Sequence, residues 1–101
     1  MALQNNFYKI NSSQNLAATT TSGAVRSAAV PADVTLARIS SSALVYVACI
    51  AGQGATPTAT VAAGVQIDVS APEIFVVRPA DTIAAITASG TATVNVTFLE
   101  G

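Results

Sequence analysis

An all-β domain is what this sequence predicts: a small antiparallel β-sandwich or barrel, jelly-roll-like, with an extended N-terminal arm. Three observations lead there. Apolar residues alternate with polar ones in short Val/Thr/Ala/Ile runs, Pro or Gly interrupts the chain about every ten residues, and no apolar stripe of 3.6-residue period is present. A chain of 101 residues has room for one domain. The expected division is residues 1–15 as an N-terminal arm or edge segment and 16–101 as a single β domain.

Residues 1–15 are rich in Asn, Gln and Ser, with Phe7, Tyr8 and Ile10 among them. Free polar tails seldom carry adjacent aromatics, so the segment is either an arm that docks on a neighbour or a first edge strand. From Leu16 to Val30 the chain is Ala/Thr/Ser with little bulk, and it ends where Pro31 forces its predecessor to be extended. Val34 to Ser40 reads as a strand. Ala43 to Ile50 is apolar at both parities, which predicts a central strand or one covered by a partner. Turn residues follow at Gly52-Gln-Gly54 and Thr56-Pro57.

Val65-Gln-Ile-Asp-Val69 alternates, with its apolar residues assigned to one face, and stops at Pro72. Glu73 to Val77 is another strand, closed by Pro79 and Asp81. Thr82 to Ala88 is a further strand, and Ser89-Gly90 turns into Thr91 to Leu99. That last segment sets Val94, Val96 and Phe98 against Thr93, Asn95 and Thr97, the clearest two-residue period in the chain. Ala favours helix in 17–29 and 80–88, but the Thr, Ser and Gly between oppose it.

The composition limits the chemistry on offer. Charged residues make up 9% of the chain and hydrophobic ones 51%, yet about one residue in five is Ala, Trp is absent, and there are only two Tyr and three Phe. A core this thin predicts that the missing burial comes from other subunits. Without histidine, no Ser-His-Asp or Cys-His arrangement and no His/Cys metal centre can form. Cys49, in the most apolar strand, is expected to be a buried, inert thiol. Asp33, Asp68, Glu73, Asp81 and Glu100 are scattered, so no catalytic, cofactor or metal residues are assigned, and no enzyme is expected.

The few charges, at a net of -1, form no basic patch for nucleic acid. The longest apolar stretch, Ala43 to Ala51, is nine residues against the roughly 20 of a spanning helix, so no membrane partner is expected. The opening residues lack the basic start and apolar core of a signal peptide, and the expectation is a chain made and assembled in the cytosol. The Thr steps at 56, 58 and 60 and at 91 and 93 are read as β propensity on a solvent face rather than as a flat ligand-binding ladder.

Glu73-Ile-Phe-Val-Val-Arg-Pro-Ala-Asp-Thr-Ile-Ala-Ala-Ile, then a turn and Ala92-Thr-Val-Asn-Val-Thr-Phe-Leu-Glu, resembles the C-terminal half of small β proteins encoded among tailed-phage virion genes. Val45-Tyr-Val-Ala-Cys-Ile-Ala-Gly and the Ala-Thr-Pro-Thr-Ala-Thr loop resemble the middle section of that group. The likeness covers about residues 43–99, and it departs from the pattern at Ala80-Asp81-Thr82, where Gly and a charged pair are expected. The resemblance implies a structural virion protein without cofactor. Most specifically it implies a bacteriophage capsid decoration (cement) protein that binds the major capsid protein of the head shell as a homo-oligomer, most often a homotrimer. Such a protein is assembled in the host cytoplasm and resides on the capsid surface. Other readings are a head-fibre base, a tail or head-tail joining protein, or a small receptor- or carbohydrate-binding module. The interface candidates are Phe7, Tyr8 and Ile10, from the aromatic-bearing arm, and Arg78, expected to pair with Glu73 or Asp81 in a turn or across a subunit boundary.

Overall fold

In the computed structural model, which describes residues 9–20, 25–51 and 59–100, seven strands form two antiparallel sheets packed face to face. They are β1 (Lys9–Ala18), β2 (Leu36–Ser41), β3 (Val45–Ile50), β4 (Val65–Ile67), β5 (Glu73–Val76), β6 (Thr82–Ile86) and β7 (Ala92–Glu100). The four-stranded sheet runs β1-β7-β2-β5 and the three-stranded sheet β4-β3-β6, so the architecture is an open sandwich rather than a closed barrel. There is no helix among the described residues.

The two-residue period of β7 decides the core. Val94, Val96 and Phe98 are buried between the sheets, while Thr93, Asn95 and Thr97 face outward. Phe98 is the largest fully buried side chain, with Ile39, Ile67 and Ile83 next. Each such burial contributes about 1.5–3 kcal/mol relative to exposure.

β3 is central in its sheet. Val45 and Val47 point into the main core, while Tyr46, Ala48 and Ile50 pack with Ala59, Ala84 and Ile86 in a second, smaller cluster on the other side of the sheet. The apolar residues at both parities of β3 therefore serve two cores.

β6 is buried along its whole length, and its composition of small and β-branched residues suits a strand covered on both faces. Its outer edge is covered too. Residues 25–30 run beside it, with Ser27 N donating to Ile83 O (2.8 Å), Ala85 N to Val25 O (3.2 Å) and Val30 N to Asp81 O (2.8 Å). The Ala/Thr/Ser stretch after Leu16 is thus partly the end of β1 and partly this cover.

In β4, an edge strand of three residues, Val65 and Ile67 share the face toward Val47 and Val45; Ile67 is buried, while Val65 and, beyond the strand, Val69 are exposed. One expectation is corrected. Cys49 is exposed rather than buried, because it lies near the end of β3 at the margin of the sandwich.

Of the segment 1–15, residues 9–15 belong to β1, an edge strand paired with β7. The preceding residues, including Phe7 and Tyr8, lie outside the described residues, as do Gly52 to Thr58.

Candidate functional site

The outer face of the four-stranded sheet carries an apolar row made of one residue from each strand. Ile10 sits opposite Leu99, Leu99 opposite Leu36, and Leu36 opposite Val76. Residues directly opposite in an antiparallel pair share a face, so all four side chains project the same way. Leu99 is sheltered by its neighbours, but Ile10 is 65% exposed and Val76 80% exposed, with Ile74 beside them at 53%.

A β-bulge puts Ile10 in this row. The register shifts between Ile10 and Ser12, so that Asn11 is the extra residue. Ile10 and Leu16 have the same parity in sequence, yet Leu16 points into the core and Ile10 away from it, which is what one inserted residue does to side-chain direction. Asn11 Nδ2 donates to Glu100 Oε2 at 2.8 Å and holds the bulge against the end of β7.

Next to the row lies a polar patch. Asn95 Nδ2 donates to Ser13 Oγ (3.0 Å) and Asn15 Oδ1 (3.0 Å), Thr97 Oγ1 donates to Asn95 Oδ1 (2.8 Å), and the Ser13 and Thr97 hydroxyls are 3.1 Å apart. Ser13, Thr97 and Asn95 thereby close a ring of hydrogen bonds in which every hydroxyl hydrogen has an acceptor. The exposed Arg38 lies directly opposite Thr97 on the same face and brings a positive charge to the edge of the patch.

The turn after β5 is built around Asp81. Asp81 N donates to Arg78 O (3.1 Å), Arg78 N donates to Asp81 Oδ2 (3.1 Å), and Ala80 has a φ of 74°. Proline second and a left-handed residue third define a type II turn, a position that glycine favours. Arg78 meets Asp81 here through its backbone amide. Its guanidinium makes no ion pair with Glu73 or Asp81 among the described residues.

At the margin between the sheets, an apolar cleft of about 100 Å³ is lined by Ile39, Val47, Cys49, Val65, Phe75 and Ile83, together with Ala48. The Cys49 thiol lies 3.5 Å from Asp81 Oδ2. Desolvation at the cleft, then the hydrogen bond to Asp81 and the charge of that carboxylate, push the thiol up to about 11. It is therefore a protonated, weakly nucleophilic thiol although the residue is exposed. No group of three or more His, Cys, Asp or Glu side chains placed to hold a metal occurs among the described residues.

The structure thus places Ile10 on the outer face and Arg78 at the turn that ends β5, at opposite edges of the same sheet. Sequence reasoning missed Ile74 and Val76, which it read as ordinary strand residues; the signal was an aliphatic run apolar at both parities in a strand bracketed by Pro72 and Pro79. Compared with family models, with curated proteins and with solved structures, the chain gives no match in any of the three.

Proposed function

We propose that the protein is a non-enzymatic structural subunit that binds a repetitive protein shell as a homo-oligomer, in the manner of a capsid decoration protein on the head of a tailed phage. The observation that carries this reading is the apolar row Ile10–Leu99–Leu36–Val76 with Ile74 beside it, exposed on the outer face of a hydrogen-bonded sheet. Aliphatic side chains gathered on one face, flanked by an ordered polar patch, favour contact with another protein surface. The phage-like pattern over residues 43–99 supplies the kind of surface.

Binding of this sort draws its strength from repetition. A single contact of this size is weak, but an oligomer engaging several shell sites at once gains about 10²- to 10⁴-fold. A protein that binds only the assembled lattice stabilises it by mass action.

Co-sedimentation tests the proposal, using undecorated tailed-phage head shells assembled from major capsid protein. The expected result is saturation at a fixed ratio of chain to shell protein and a higher temperature of shell disassembly. Shells that pellet without the chain at micromolar concentration would overturn the reading.

A further inference from the structure

We infer that β5 is a self-complementary edge through which two copies of this chain join their four-stranded sheets into one of eight strands. β5 ends its sheet, and among the described residues it is paired only with β2. Its register sets Leu36 opposite Val76, Ala37 opposite Phe75, Arg38 opposite Ile74 and Ile39 opposite Glu73. Val77 N donates to Thr35 O at 2.9 Å, so the ladder to β2 uses the odd-numbered residues of β5. The N–H and C=O groups of Ile74 and Val76 therefore point away from β2, toward the open edge.

An antiparallel copy with Phe75 on the twofold axis satisfies these groups. Ile74 then faces Val76 of the second copy and Val76 faces Ile74, each pair exchanging two N–H···O=C bonds. On the outer face the same pairing sets Ile74 against Val76 from both sides and covers the two most exposed aliphatic side chains of this strand. On the inner face the half-buried Phe75 rings meet at the close, non-hydrogen-bonded position.

Pro72 and Pro79 bracket the strand and prevent the pairing from sliding or lengthening.

The other open edges lack these features. The N-terminal half of β1 is polar apart from Ile10, bulged at Asn11 and headed by Lys9, and the bulge and the lysine are devices against edge pairing. β4 has three residues, and the outer edge of β6 is covered by residues 25–30. The pairing closes on itself and yields a dimer, whereas the trimer that the phage resemblance implies needs a different, head-to-tail contact.

Light scattering and sedimentation over a concentration series test this directly. The interface is of the small class, below about 1,200 Å² in total. Half-dissociation is therefore expected on the order of 10–100 μM. The expected limiting mass is twice the chain mass of 10.1 kDa. Val76→Pro removes an edge-facing N–H without touching the ladder to β2, and should leave the circular dichroism spectrum unchanged while giving a monomer. Hydrogen exchange at the Ile74 and Val76 amides of the unmodified chain should slow about tenfold between dilute and concentrated samples. A monomer at every concentration, a trimer, a dimer that survives Val76→Pro in a folded chain, or concentration-independent exchange at these two amides would each overturn the inference. A dimer that fails to bind shells would leave this edge intact and remove the capsid reading instead.

Discussion

Ala80 occupies a backbone conformation that its side chain opposes, and replacing it by glycine should stabilise the protein. Its φ of 74° lies in the left-handed region, where an L-residue with a Cβ costs roughly 1–2 kcal/mol. Glycine removes that cost but loses about 0.5–1 kcal/mol more in conformational entropy on folding. Ala80 is exposed, so no packing is lost with its methyl group. Three hydrogen bonds hold the turn whichever residue is present: Ala80 N to Val30 O (2.9 Å), Asp81 N to Arg78 O (3.1 Å) and Arg78 N to Asp81 Oδ2 (3.1 Å). The net gain for Ala80→Gly is therefore about 0.5–1 kcal/mol, and at about 4–8 °C per kcal/mol for a domain of this size the midpoint should rise by roughly 2–8 °C. Thermal and urea unfolding measure it, with Ala80→Val as the opposite control, expected to lower the midpoint. An unchanged or lower midpoint for Ala80→Gly would show that the turn does not hold a left-handed residue, and the type II assignment would fall with it.

Three further outcomes follow from single side chains. Thr82 Oγ1 is buried without a hydrogen-bond partner among the described residues, so the near-isosteric Thr82→Val should stabilise by about 1 kcal/mol in denaturant unfolding; destabilisation would reveal a partner for the hydroxyl. Gly64 has no room for a side chain, since a Cβ there would sit 2.7 Å from Thr60 O and 2.8 Å from Tyr46 Cβ. Gly64→Ala should lower stability by about 1–3 kcal/mol, and a neutral result would mean that this loop relaxes freely away from β3. Cys49, with its thiol pushed up to about 11, should react with a maleimide at pH 8 at least tenfold more slowly than in the unfolded chain, and Asp81→Asn should restore part of the rate. Because the unfolded thiol ionises at lower pH than the folded one, its contribution to stability is complete below about 9 and is lost as pH rises toward about 11. Equal rates in the folded and unfolded chain would contradict the position given to the sulfur.

The β7 pattern and the strand breaks at proline and glycine made the all-β class legible in the sequence, because alternation of side chains is local geometry and needs no knowledge of partners. The doubly apolar β3 was legible for the same reason: each face has its own apolar cluster. The sequence could not say which apolar residues would stay outside. Ile10 leaves the core side through a bulge, which is a register event between two strands distant in sequence. Cys49 and Val65 are exposed because the sandwich ends beside them, and Ile74 and Val76 because they project from the outer face of the sheet. Local alternation sets which residues share a face, but strand order and sheet extent decide whether that face is covered, and these depend on long-range pairing that no short window contains.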